Sequence, residues 1–118
     1  MATGTIKADG IFTDVTSQFT YYSTYLTTFK AVTDGRIVYV QGRIKKGVTD
    51  ETIVAIAPAS LRPNTAYLAF AVFPLHGEDL TKGAAVGHTG DGNITFRIYT
   101  PSTGSYGISF FGSYPIGF

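Results

Sequence analysis

Hydrophobic and polar residues alternate with a period of two over several short stretches of this chain, as they do along strands with one buried face. In Asn93–Tyr99, Ile94, Phe96 and Ile98 share one face and Thr95, Arg97 and Tyr99 the other. Arg36–Ile44 places Val38, Val40 and Ile44 inward with Tyr39, Gln41 and Arg43 outward. Ser105–Phe110 sets Tyr106, Ile108 and Phe110 against Ser105, Gly107 and Ser109. Ala66–Phe73 differs in being apolar on both faces, with Leu68, Phe70 and Val72 on one and Tyr67, Ala69, Ala71 and Phe73 on the other. Such a strand requires cover on both sides, and its small alanines leave room for a second sheet or a neighbouring subunit. Thr52–Ala57 repeats this habit with smaller residues and stops at Pro58, whose ring removes a ladder donor.

Turn chemistry separates these stretches. Asp34-Gly35 and Asp91-Gly92 supply the glycine that tight hairpins need, and Pro101-Ser102-Thr103-Gly104 closes a third connection. Three hairpins predict antiparallel pairing rather than a parallel sheet with crossover helices. Tyr25, Leu26, Phe29 and Val32 would suit two turns of helix, but Thr20, Thr24, Thr27 and Thr28 favour strand. The expected fold is all-β, an antiparallel sandwich or jelly-roll-like barrel of about eight short strands. Residues 1–10, rich in Gly, Thr and Ala, are expected to be an arm or linker, and residues 11–118 a single β-sandwich domain. Pro74 to Gly92 is predicted as the longest irregular connection. It holds five Gly, both His and three acids, and long connections in compact domains are often functional.

Composition narrows the function. The 118 residues include no cysteine, so neither a disulfide framework nor a thiolate metal site is available. The formal net charge is +1 and the nine Lys and Arg are scattered, which excludes the basic footprint of a nucleic-acid binder. The start of the chain lacks the basic and apolar regions of a signal peptide. Its longest apolar run, Ala66–Leu75, is about half of what a membrane-crossing helix needs, so a soluble chain without membrane insertion is expected. Charged residues make up 14% of the chain, against roughly 25% in typical domains. So little charge points to an obligate oligomer, or else to a monomer coated with Thr, Ser and Gly.

Catalytic signatures are missing: there is no Gly-x-Ser-x-Gly elbow, no dinucleotide fingerprint and no Walker loop. His76 and His88 could ligate a metal together with Glu78 or Asp91 if the 74–92 segment folded back, but loop histidines beside acids are more often solvated or ligand-contacting. Glu78 and Asp79 are adjacent and would point apart on an extended chain, unlike the paired carboxylates of glycoside cleavage. The chain is therefore expected to be no enzyme and to use no metal or cofactor. Saccharide binding asks only for aromatic faces and planar polar groups. The candidates are Tyr39, Tyr67, His76, Glu78, Asp79, His88, Arg97 and Tyr99. Against each stands the ordinary alternative that an exposed tyrosine or charge on a sheet is merely solvated.

From about residue 36 to the end, three segments occur in a telling order: Ala57-Pro58-Ala59-Ser60-Leu61-Arg62-Pro63, then Gly90-Asp91-Gly92-Asn93-Ile94-Thr95-Phe96, and last Gly112-Ser113-Tyr114-Pro115-Ile116. In order and spacing this resembles the C-terminal head domains of receptor-binding and tail-fibre proteins of phages that infect Gram-positive bacteria, where a Leu-Pro-x-x-x-Arg-Pro segment is common. The resemblance implies a homotrimer of jelly-roll-like heads on the virion, at the tail tip or baseplate. Such heads bind host cell-wall polysaccharide near subunit boundaries and contact other phage tail or baseplate proteins. Arg62 and Pro63 match the motif but read as turn and packing residues. Tryptophan, frequent in the binding sites of that family, is absent. The expected function is a non-catalytic adhesion head, and the alternative is a structural virion component that touches only phage proteins.

Overall fold

The computed structural model describes residues 11–45, 47–63, 69–76, 82–100 and 108–116, with Lys82 and residues 98–100 as backbone only. Nine strands, all paired antiparallel, form one sheet: β1 (Thr13–Asp14), β2 (Thr20–Tyr21), β3 (Leu26–Thr33), β4 (Ile37–Ile44), β5 (Thr52–Ile56), β6 (Ala69–His76), β7 (Lys82–His88), β8 (Asn93–Thr100) and β9 (Ile108–Pro115). Among the described residues the only helical pieces are two single turns of 3-10 helix, Thr16–Gln18 and Ala59–Leu61. The strand order is β1-β3-β4-β9-β6-β7-β8-β5-β2. β6 joins the two halves: Ala69–Pro74 pairs with β7, while Leu75 and His76 pair with β9. The sheet thus curls into a half-barrel around one core.

Alternation decides what faces inward. In β4 the residues Val38, Val40, Gly42 and Ile44 are buried while Tyr39, Gln41 and Arg43 are exposed, the period expected from the sequence. The inner surface is packed by phenylalanine rings laid over glycines of adjacent strands. Phe110 lies opposite Gly42, where an added Cβ would come within 2.5 Å of the ring. Phe73 covers Gly112 and Phe70 covers Gly87 in the same way. A glycine here removes the side chain that would collide, and the ring fills the space left behind. Gly35, at φ +94, turns β3 into β4, with Asp34 Oδ1 accepting the Arg36 and Ile37 N–H groups at 2.9 Å each.

Residues 13–22 cross from one edge of the sheet to the other. β1 pairs with β3 at Val32 and Thr33, and β2 pairs with β5 at Ala55 and Ile56. Between them the buried Val15 and Phe19 fill the gap, and Phe19 and Tyr21 both pack against Phe29, at 5.3 and 5.2 Å between ring centres. This strap covers the edges that a half-barrel would otherwise present.

The three segments that carry the family resemblance meet on the inner side. Tyr114 donates its hydroxyl to the Leu61 carbonyl at 2.6 Å, the Ala57 N–H donates to Gly92 O at 2.8 Å, and Arg62 donates to Thr89 O at 3.3 Å. Burial raises the Tyr114 phenol well above its usual pKa, with Arg62 opposing, so the group stays a neutral donor. Gly92 is held at φ +78 against the Ala57 carbonyl, leaving no room for a side chain.

Several expectations from the sequence are corrected. Phe70 and Phe73 were placed on opposite faces, but a bulge between Ala69 and Ala71 turns both inward, and Val72 is left 62% exposed. The outer face of β6 is therefore open in the single chain, and residues 64–68 of that stretch lie outside the described residues. The connection through residues 101–104 is not a hairpin, because β8 pairs with β7 and β5 while β9 pairs with β4 and β6; the third hairpin is β6–β7. The 74–92 segment is largely regular: β6 continues to His76, and β7 occupies Lys82–His88.

Candidate functional site

On the outer side of β3, β4 and β9 the register sets exposed side chains in rows. Lys30, Gln41 and Phe111 lie opposite one another in one row, and Val32, Tyr39 and Ser113 in the next. A third row holds Thr28, Arg43, Ser109 and His76, the last contributed by β6. Directly opposed side chains share a face at about 5 Å. The first two rows line a shallow depression of about 390 Å³, open to solvent, whose floor includes Val40 and Gly112. That volume is within the range of small-ligand sites.

Two aromatic rings stand in it, each braced by a neighbour. The His76 imidazole lies flat on Phe111, with 4.3 Å between ring centres and 13° between planes, and Phe111 remains 51% exposed. Phe12 meets Tyr39 edge-on at 5.5 Å and 77°. Beneath them the Gly42–Phe110 and Gly112–Phe73 contacts fix the spacing of β4, β9 and β6. Polar groups are interspersed: the Gln41 amide, the Ser113 and Tyr39 hydroxyls and the Lys30 ammonium, with Arg43 in the third row beside it; neither cation forms an ion pair among the described residues. Asp14, opposite Val32 at the sheet edge, is the neighbouring acid. Hydrogen bonds from the hydroxyl and N–H of Thr16 hold its carboxyl below the usual range, and Lys30 adds to this.

Of the candidates named from sequence, the fold brings Tyr39 and His76 to this face. His88 ends β7 opposite Ala69, at the far end of the β6–β7 hairpin from His76. Some seven residues of strand, roughly 20 Å, separate the two imidazoles, so they cannot share one metal ion. Among the described residues no group of three or more His, Asp and Glu is placed to hold a metal. Arg97 stands on the outer face of β8, with Nε 3.6 Å from Asp50 and Nη1 3.4 Å from Glu51, so its guanidinium already serves two carboxylates. Tyr99 is in β8 with its side chain undescribed, and Tyr67, Glu78 and Asp79 lie outside the described residues.

Phe111, Gln41, Lys30 and Ser113 were not foreseen as site residues. A signal for the first existed: two adjacent phenylalanines on a strand must point to opposite faces, and Phe110 was already assigned inward. Comparison with family models, with curated proteins and with solved structures finds no match for this chain.

Proposed function

We propose that the chain is a non-catalytic adhesion head of a phage tail, and that the β3–β4–β9 face binds a host cell-wall saccharide. The observation that carries this reading is the pair of exposed rings, Tyr39 and Phe111, set two residues apart in register on a rigid sheet, with the Gln41 amide and Ser113 hydroxyl between them. Aromatic faces receive the apolar side of a sugar ring, and amides and hydroxyls exchange hydrogen bonds with its rim. The resemblance to phage receptor-binding heads supports it from another direction. Its three segments are brought together by hydrogen bonds around Leu61, Gly92 and Tyr114. On this reading the head works as a homotrimer at the tail tip or baseplate, and several weak sites add by multivalency.

The test is binding of the purified protein to a panel of Gram-positive cell-wall polysaccharides. Saturable binding that falls about tenfold in Phe111→Ala and in Tyr39→Ala, with unfolding unchanged, supports the reading. No binding to any preparation, or binding that ignores both substitutions, defeats it. A second reading, a structural virion component that contacts only phage proteins, rests on the opposite outer face. There Ile53, Thr95, Val86 and Val72 form one uncharged β-branched row. It predicts that Val72→Asp blocks assembly while Phe111→Ala is silent.

A further inference from the structure

Charge is unevenly matched over the described surface. The strands β3, β4, β6 and β9 contain no acidic residue, yet their exposed side chains include Lys30, Arg43 and His76. Lys45, also exposed, lies one position beyond the end of β4. The described carboxylates are engaged elsewhere. Asp50 and Glu51 face Arg97 on β8 at 3.6 and 3.4 Å, Asp34 accepts the Arg36 and Ile37 N–H groups, and Asp91 accepts the backbone and side-chain N–H groups of Asn93 at 3.0 Å each. Among the described residues Asp14, at the β1 edge opposite Val32, is the acid that borders the depression, and its Oδ1 takes the Thr16 N–H at 2.9 Å. Neither Lys30 nor Arg43 forms an ion pair among the described residues.

The register brings these two cations together beside the exposed ring. Gln41 faces Lys30 on one side and Phe111 on the other, and Arg43 is the next outward residue along β4. Arg43 is therefore diagonal to both Lys30 and Phe111, at about 7–8 Å across adjacent strands. Two like charges at that spacing repel, and an anion seated between them turns the repulsion into two charge-assisted hydrogen bonds. A saccharide ring packed on the side of Phe111 that His76 leaves open has its substituents within one strand of Arg43. We propose that the β3–β4–β9 face selects an acidic saccharide, holding its phosphate or carboxylate between Lys30 and Arg43 while the ring lies on Phe111. This rests on the saccharide reading given above and adds to it the charge of the ligand.

The experiment separates each Gram-positive cell-wall polysaccharide of the panel into acidic and neutral fractions by anion exchange and titrates the full chain with both, with polyglutamate as a control polyanion. An acidic fraction binds saturably, more weakly as salt rises, and the neutral fractions and polyglutamate bind at least tenfold less well. Reduction of the carboxyl groups abolishes the binding if the anion is a carboxylate, and hydrofluoric acid abolishes it if the anion is a phosphate ester. Lys30→Gln and Arg43→Gln each weaken binding about tenfold and lessen its salt dependence, Lys30→Arg retains it, and Phe111→Ala weakens it with the salt dependence unchanged. Both cations are exposed, so the variants fold, which unchanged thermal unfolding verifies. Neutral fractions that bind as tightly as acidic ones, or Lys30→Gln and Arg43→Gln without effect while Phe111→Ala still weakens binding, overturn the proposal and leave the saccharide reading standing. Polyglutamate bound as tightly as the acidic fraction overturns it in favour of an acidic protein partner. Binding to neither fraction overturns both.

Discussion

The two outer faces of the curled sheet share a backbone plan and differ in chemistry. Outside β3, β4 and β9 stand two tyrosine and phenylalanine rings with amide, hydroxyl and ammonium groups between them. Outside β5, β8, β7 and β6 one register carries Ile53, Thr95, Val86 and Val72, of which Ile53 and Val72 are exposed and Thr95 is buried. Both are supported from within by phenylalanine over glycine, at Gly42 and Gly112 on one side and at Gly87 on the other. The same interior device therefore carries two unlike surfaces, whose difference lies in the outward residues alone.

The largest effect expected is on the shared interior. Gly42→Val drives a side chain into the Phe110 ring and should lower stability by about 3 kcal/mol or more in denaturant unfolding. Any saccharide binding would be lost with it, through the fold rather than through contact. Phe111→Ala sharpens the contrast: it should leave stability within about 1 kcal/mol, since half the side chain is already in water, while binding drops about tenfold. If binding survives, the aromatic face is not the site. Val72→Asp probes the other side. A charge at the exposed Val72 should disrupt any assembly measured by sedimentation and leave any glycan binding unchanged.

Smaller effects follow. Arg97→Gln removes two partly exposed ion pairs and should change stability by less than about 1 kcal/mol, less still in high salt. Asp34 has a pKa lowered by the Ile37 and Arg36 N–H groups, so its contribution is present above the usual carboxylate pKa near 3.8 and disappears as pH falls through the depressed folded value. Asp34→Asn should therefore lower stability slightly at neutral pH and flatten the acid limb, so that the two profiles converge below about pH 4. An acid limb identical to that of the parent chain would show that the turn does not couple to unfolding.

How much of this was legible in the sequence depended on whether side chains carried a period. β4 and β8 could be read because large apolar residues alternate with polar ones. β7, with Gly83-Ala84-Ala85-Val86-Gly87, could not, since small residues mark neither face. The bulge in β6 was invisible for a different reason. Alternation assumes an unbroken pleat, and one extra residue between Ala69 and Ala71 reversed the assignment of Phe70. The site was half legible: Tyr39 and His76 were named for their chemistry. Their gathering with Phe111 and Gln41 depends on β4, β9 and β6 lying side by side, a pairing of strands distant in sequence.

The strap sets an order of events. β1 and β2 are the first strands of the described structure to leave the ribosome, yet the edge they close against, β5, has its other partner in β8, some forty residues later. The clasp is made first and can fasten last. Until β8 has been synthesised, Val15, Phe19 and the tyrosines after them have no finished barrel to seal. The chain's slowest and most aggregation-exposed interval should accordingly lie late in synthesis, with its N-terminal aromatic segment still unburied.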